Sequence, residues 1–581
     1  MGNEVTWCER AFDSTRMDTL VAKGLSPLVA RLLAARGVGA DDLESFFDTA
    51  LTRLVDPFLL PGVGQAVELI LSAIQAKKKI VIFGDYDADG VCASSILVST
   101  IRRLQDDSSS QVDAFIPLRF GEGYGMTAAS LSRLRTEHPD VALVVTVDNG
   151  ISSPNEVASL RQEGISVIVT DHHLPGERLP EADALINPRV ASCRGCENLC
   201  GAGVAFYLAM ALARAATASG LYSGPKFGGP LLVLAGLATV ADLMPLQGQN
   251  RLLVTQALHN FARCAPLGLS ELYARAARLV GPLVARDFGF ALAPRINAAG
   301  RMKTARTAYE LIMCTDRERA RALAIEVDSF NALRKTEETH MFDEADVQIQ
   351  RLGDQSAYVV RQETCPGQND AQPWHLGVAG IVASRLLEKY HVPIAVMVGD
   401  TGSVRAPDGY NVHDALTAAT EHLVRFGGHA AAGGFTIKPD AFEAFQSAFI
   451  QACACQHEAA PQADALPFDA WVQPSDLTLE LTEALQRLEP FGEGNPEPVF
   501  GLSNISFSDI RPIGAGRHAV FNFVNRLIPR AVWWGHGPDV ESLRAKGTSR
   551  FDILFTVTTS DYGGEPLHVE LRLVALRPAV L

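Results

Sequence analysis

Long apolar runs are missing from this 581-residue chain. The two longest, CGAGVAFYLAMALA (200–213) and GGPLLVLAGLATVA (228–241), stop at Arg214 and Asp242. They suit buried helices rather than bilayer spans. The first 20 residues carry acids and arginines instead of the apolar centre of a signal peptide, so a cytoplasmic protein without membrane attachment is expected. Cysteine is sparse as well. Ten are scattered along the chain, without the density of a secreted disulfide scaffold, and read as reduced thiols. Basic residues are outnumbered, 51 against 66 acids, for a net charge of -15. That balance excludes a bulk nucleic-acid coat and leaves room for local basic grooves. Internal repeats and low-complexity tracts are also lacking.

What is present is globular in composition, 47% hydrophobic and 20% charged. The length exceeds a single core, so several domains are expected. Residues 1–75 read as an N-terminal helical region, with apolar residues at helical spacing in SPLVARLLAARGV. Strand–helix units follow over 76–302. KIVIFG, VALVVTV, ISVIVT and ADALINP are unbroken apolar runs, which means strands buried on both faces of a parallel sheet. Residues 303–350 contain no Gly or Pro and read as one or two connecting helices, over 303–353. A second α/β region spans 354–455, and 456–467 has the composition of a linker. From 468 to 581, alternating strands such as FDILFTVTT and LHVELRLVAL suggest a small β-barrel.

Ligands of parallel sheets bind beyond the carboxyl ends of the strands. Polar residues gather there: Asp85, Asp87 and Asp89 in IVIFGDYDADG, Asp148 after VALVVTV, and Asp171, His172 and His173 after ISVIVT. Like charges this close repel one another and call for a cation. A single loop Asp is ordinary turn chemistry, but a whole set at successive strand ends is not. Carboxylates with an imidazole suit Mn²⁺ or Mg²⁺ better than thiolate-rich structural zinc sites do. Asp242, after a fully apolar run, is costly to bury unpaired and fits the same set.

GDYDADG, VTVDNGI, VTDHHLPGE and VADLMPL resemble, in order, the motifs of the DHH phosphoesterases. HLGVAGIVASRL, GSVRAP and FGGHAAAGGF are similar to the associated DHHA1 domain. IPLRFGEGYGMT, APRINAAGRM and PFGEGNPEPVF narrow the resemblance to the bacterial single-strand-specific 5′→3′ DNA exonucleases of that family. The resemblance implies a DHH domain, a long connecting helix, a DHHA1 domain and a C-terminal OB-type barrel. It implies a two-metal site with Asp87, Asp89, Asp148, His172 and Asp242 as ligands, and Asp148 bridging. His173 would face the scissile phosphate, with Asp85 and Asp171 as supports. Two cations would clamp a phosphoryl oxygen and activate water. The implied role is in DNA repair and recombination, on single-stranded DNA, with a helicase and a single-strand-binding protein as possible partners.

Substrate contacts are expected from Ser403 and Arg405 of GSVRAP, the latter able to grip phosphate through two donors. Gly428 and His429 of GGHAAAGG suit close phosphate approach. Arg119, Asn297 and Arg301 match family positions near the nucleic-acid path. Leu376 and Ala406 depart from the family pattern, which often has Pro and Ser there. Cys193, Cys196 and Cys200 have a metal-like spacing but no evident fourth ligand, and read as a loop feature. In the tail, Phe521, Phe523, Trp533 and Trp534 lie near Arg517, Arg526 and Arg530, a combination suited to stacking on single strands, although at least half of these rings are expected in the barrel core. Nine Lys and Arg against seven acids from Val499 to Leu581 make the tail locally basic. Two rivals share the motifs: a phosphoesterase of short or cyclic oligonucleotides, which generally lacks the barrel, and a non-catalytic scaffold, which loses metal ligands.

Overall fold

The computed structural model describes residues 6–105, 111–123, 125–224, 228–276, 283–362, 373–457, 465–545, 550–560 and 567–579. Most of the expected linker at 456–467 lies outside them, as does Tyr124. The first sheet is parallel throughout, in the order Val112–Phe115, Lys79–Phe83, Val141–Val147, Ser166–Thr170, Ala184–Ile186. Alternation along Lys79–Phe83 shows why the strands are apolar at every position. Ile80 and Ile82 enter the larger core, under helices Val63–Gln75, Ala88–Leu104, Gly201–Ala218 and Gly229–Ala241. Val81 and Phe83 enter a second core, under helices Ala128–Glu137 and Pro154–Gln162.

The first apolar run stops at Arg214, but its helix, Gly201–Ala218, continues past it and, at 18 residues, is long and apolar enough to cross a membrane by length and composition. It is a core helix here, 67% of it buried inside the protein, because Arg214 reaches outward to Asp56 while the apolar faces meet neighbouring helices.

Beyond the sheet runs the helix Arg317–Leu352, 36 residues long, about 54 Å at 1.5 Å per residue. Asp316 caps its start by accepting from Arg319 N–H. Leu323, Ala324 and Val327 lie in the first core, while Met341, Ala345 and Ile349 lie in the core of the next domain. The helix is therefore a strut shared by two domains. The second sheet is mixed, in the order Leu423–Gly428, Ala432–Ile437, Thr401–Arg405, Ile394–Val398, Tyr358–Arg361.

The C-terminal region carries a seven-stranded sheet. It curls until Phe507, in the last strand of the order, meets Phe521, Phe523 and Phe551, with ring centroids 5.0, 5.5 and 5.1 Å away. Phe521 and Phe523 are core, Trp533 is half-buried, and Trp534 is 56% exposed.

Residues 7–35 belong with this C-terminal sheet. Trp7–Glu9 pairs in parallel with Leu466–Phe468. Leu20, Leu32 and Leu33 of helices Ser14–Ala22 and Pro27–Ala35 share a core with Leu481, Leu485 and Phe500. Arg36 and Asp469 form a buried pair at 3.0 Å.

The joint between the first and last domains is held by Arg251, buried on helix Gly248–Cys264. Its guanidinium donates to the carbonyls of Phe46, Leu488 and Glu489 at 2.9, 3.0 and 2.7 Å, and lies 3.8 Å from the Phe46 ring centroid. Beside it, Leu246 N–H donates to Glu493 O, docking the PFGEGNPEPVF segment. Truncating Arg251 leaves these carbonyls without charged donors, each such bond contributing about 1.5–3 kcal/mol. Arg251→Ala should therefore destabilise the protein by about 3 kcal/mol or more, and Arg251→Lys should recover only part. Denaturant unfolding checks this; unchanged stability would mean that solvent satisfies the carbonyls.

Candidate metal centre and phosphate pocket

Three strands of the parallel sheet end in acids. After Phe83 the chain turns through Gly84 to Asp85, and Asp87 caps helix Ala88–Leu104, its Oδ1 accepting from the N–H groups of Asp89 and Gly90 at 3.0 Å each. After Val147 comes Asp148, in a left-handed backbone conformation (φ 62°) that is strained for Asp. After Thr170 come Asp171, His172 and His173. Asp242 arrives separately, at the C-terminal end of helix Gly229–Ala241.

These side chains converge. Ligand atoms of Asp85, Asp87 and Asp148 lie within 4.8 Å of one another, as do those of Asp148, His172 and His173, and those of Asp89, His172 and Asp242. Asp148 and His172 are each shared between two groups. His172 Nε2 lies 3.0 Å from Asp148 Oδ1, 3.6 Å from Asp242 Oδ2 and 3.7 Å from Asp89 Oδ2. Yet His172 Nε2, Asp148 Oδ1 and Asp85 Oδ1 are buried with no hydrogen-bond partner. Atoms that are crowded, buried and unbonded to one another fit divalent cations between them.

The electrostatics agree. Burial, and then the Asp87 charge, push Asp85 well above the usual carboxylate range. Asp148 moves up strongly through burial and through repulsion from Asp89 and Asp87. Asp89 moves up mainly by burial, against the pull of His172. Asp242 is raised to about 8 by burial and by the charges of Asp89 and Asp87. Burial lowers His172, favouring the neutral imidazole that ligates metals. His173 behaves oppositely. Burial alone would lower it, but the hydrogen bond and charge of Asp171 raise it to about 9.

Asp171 is fully engaged. Its Oδ1 accepts from the His172 and His173 N–H groups at 2.7 and 3.1 Å and meets His173 Nδ1 at 2.8 Å, while its Oδ2 accepts from Ile151 N–H at 2.9 Å. It is a buried support that orients His173, whose side chain is 38% exposed.

Next to this cluster lies a basic pocket. Arg119 covers the Tyr86 ring, 4.9 Å from its centroid. Arg301 and Arg405 donate to the backbone carbonyls of Gly377 and Val404. Burial first, and the Arg119 charge second, lower both, Arg301 to about 10. Arginines that repel one another inside the protein make an anion site. Ser403 and Arg405 point at helix Leu376–Tyr390: a Cβ on Gly380 would lie 2.8 Å from Arg405 Nη2 and 3.6 Å from Ser403 Oγ. Gly428 and His429 sit on the exposed hairpin beside this strand, whose residue Ala432 pairs with Arg405.

Asn297, expected near the nucleic-acid path, accepts at Oδ1 from Ala88 N–H at 2.7 Å and so buttresses the acidic loop. Sequence reasoning missed Gly201 and Ala202, whose N–H groups both donate to Asp89 at 2.7 Å. The Gly-rich CGAG start of their helix was the available signal. Cys193, Cys196 and Cys200 form none of the metal-capable groups among the described residues.

Comparison with known proteins follows the same order along the chain. The DHH family N-terminal domain matches residues 79–225, the DHHA1 domain 358–454 and the RecJ OB domain 468–573. The single-stranded-DNA-specific exonuclease RecJ of Haemophilus influenzae is 36% identical over 507 residues, 85% of this chain and 86% of that protein. This chain belongs to the RecJ family. RecJ of Escherichia coli K12 is 36% identical over 82% of this chain and 83% of its own length. Against RecJ of Bacillus subtilis the identity is 34% over 89% of this chain, which spans 64% of that longer relative. The crystal structure of Thermus thermophilus RecJ with Mn²⁺ superposes with a TM-score of 0.82 at 28% identity, covering 100% of this chain and 81% of that one. The same protein with Mg²⁺ gives a TM-score of 0.76.

The raised pKa of Asp242 sets a pH dependence for metal-free protein. Its folded value of about 8 exceeds the ordinary value of about 4 in the unfolded chain. The native state therefore holds the extra proton, and this group's contribution to stability falls as pH rises from about 4 to about 8. In chelator, Asp242→Asn should melt close to wild type near pH 5 and several degrees above it near pH 8. A gap that stays constant across that range would show that Asp242 does not titrate there.

Proposed function

We propose that this chain is a metal-dependent exonuclease that hydrolyses single-stranded DNA from the 5′ end. The observation that carries the reading is adjacency. Tyr86, between Asp85 and Asp87, lies under Arg119, and Arg301 feels the charges of Asp87, Arg119 and Arg405. A cation cluster and a terminal-phosphate pocket thus share one loop, which limits the distance between the bound end and the cut.

The residues fit two divalent cations, Mn²⁺ or Mg²⁺. Asp87, Asp89, Asp148, His172 and Asp242 would hold them, with Asp85 beside Asp87 and Asp148 as a support. Bound there, the cations supply charge stabilisation of the phosphoryl oxygens and an acidified water for in-line attack. The chain's own groups do the rest. Asp171 fixes His173 through Nδ1, leaving Nε2 to donate to a phosphate oxygen. Arg405, Ser403, Arg119 and Arg301 hold the 5′ phosphate, with Gly428 and His429 at the pocket's edge. The C-terminal sheet, with exposed Trp534 against His518 (4.7 Å between ring centroids), offers stacking for the incoming strand. The family's single-stranded substrates fit a role in repair and recombination in the cytoplasm, downstream of a helicase and alongside a single-strand-binding protein.

Asp148→Ala should abolish turnover, by a factor of about a thousand or more, and leave single-strand binding within a few-fold of wild type. A shared ligand serves the chemistry, whereas the strand is held elsewhere. Chelation should reproduce the loss and added Mn²⁺ reverse it. Hydrolysis by rigorously metal-stripped protein would refute the cation mechanism. Arg405→Ala should slow digestion of 5′-phosphorylated strands about 10-fold more than that of 5′-hydroxyl strands, since a charge-assisted bidentate contact contributes about 1.5–3 kcal/mol. Equal slowing of both, or release of a 3′ label first, would overturn the end recognition.

A further inference from the structure

The CxxCxxxC spacing is not used by the metal centre as a ligand set, yet its third cysteine lies against that centre. Cys200 is fully buried and is the N-cap of helix Gly201–Ala218, its Sγ accepting from Gly203 N–H at 3.4 Å. Its Sγ also lies 3.7 Å from Thr239 Oγ1, on the helix that ends at Asp242. Thr239 is itself fixed, donating to Ala235 O at 2.7 Å.

The two residues after Cys200 complete the contact. Gly201 and Ala202 direct their N–H groups at the two oxygens of Asp89, at 2.7 Å each. Gly201 also packs on Asp148: a Cβ there would lie 2.5 Å from Asp148 Cβ and 2.8 Å from Oδ1. Only glycine lets the helix start come this close. One turn of backbone therefore touches two of the acids, and Cys200 ties that turn to the helix bearing a third.

We infer that Cys200 is a positioning residue of the metal centre: its thiol caps the Gly201–Ala218 helix, whose first amides hold Asp89, and braces Thr239, so that Asp89 and Asp242 are presented together. This rests on the reading of Asp89 and Asp242 as cation ligands. The geometry gives Cys200 two contacts to satisfy at once, the Gly203 N–H and the bonded Thr239 hydroxyl, and a serine can still cap the helix, whereas alanine can do neither. Loss of an outer-shell partner typically weakens metal binding 10–100-fold.

The test is Mn²⁺ binding to DNA-free full-length protein, measured by calorimetry alongside melting curves. Cys200→Ala should weaken Mn²⁺ binding about 10-fold, Cys200→Ser should stay within about 3-fold of wild type, and Cys193→Ser, in the same motif, should match wild type. If Cys200→Ala is unfolded, Thr239→Val, which removes the braced hydroxyl at similar volume, is read instead and should weaken Mn²⁺ binding about 3-fold or more. Wild-type affinity in folded Cys200→Ala, or in Thr239→Val where that variant is read, overturns the inference. So does Cys200→Ser weakening as much as alanine, because the role would then be packing alone. If wild-type protein itself binds no Mn²⁺, and Asp89→Asn changes nothing, the cation reading falls and takes this inference with it.

Discussion

Asp85 and Asp89 are both buried where their charges, and that of Asp87, act on buried Asp148, and this repulsion is the constraint around which the catalytic domain is arranged. Left alone, such a cluster would admit water or spread apart. It does neither because each acid is fixed from behind. Asp89 has two helix-start amides, Asp87 caps its own helix, and Asp148 is locked in a left-handed turn between a buried strand and Gly201. The two apolar cores on either face of the sheet make the strand ends immovable. The acids therefore meet at a fixed point, and the charge needed to neutralise them must come from outside the chain.

The opposite sign is gathered a few ångströms further on. Arg119, Arg301 and Arg405 come from three different segments, one of them in the second α/β domain, and they are held by backbone and ring contacts. The pocket keeps its shape only if the spacing of these segments is fixed. The strut Arg317–Leu352 does this, because it is embedded in both cores and sets the spacing between the domains that supply Arg301 and Arg405.

Much of this was legible in the sequence. Unbroken apolar strands gave the parallel sheet, and the polar residues at their ends gave the acids and histidines in the right place. Those are local signals, in which a residue's neighbours in sequence determine its surroundings. The rest depends on contacts over long separations, which leave no periodicity to read. Nothing in SPLVARLLAARGV says that its apolar stripe faces Leu481 and Phe500. Arg251 looks like an ordinary helix-surface arginine until its carbonyl partners arrive from residues 46 and 488–489. Asn297, expected along the strand path, turns out to brace Ala88, a contact set by how two helices cross. Gly201 and Ala202 were passed over because a helix start is invisible as a ligand holder unless the acid it holds is known to be opposite.

The packing of residues 7–35 bears on how the chain is made. Arg31 donates to the carbonyl of Asp469, 438 positions later. During synthesis the N-terminal helices leave the ribosome with their apolar stripes uncovered, and their partners are translated only after both α/β domains. At about 5–20 residues per second that interval is on the order of twenty seconds to a minute and a half. The catalytic domain, whose contacts are nearer in sequence, has time to form while the helices wait. The last domain is thus completed by a segment made long before it, and a nascent chain that stalls before residue 481 leaves the apolar stripes of these helices uncovered. Apolar surface exposed for that long favours association between nascent chains, a hazard built into a domain whose two parts lie at opposite ends of the sequence.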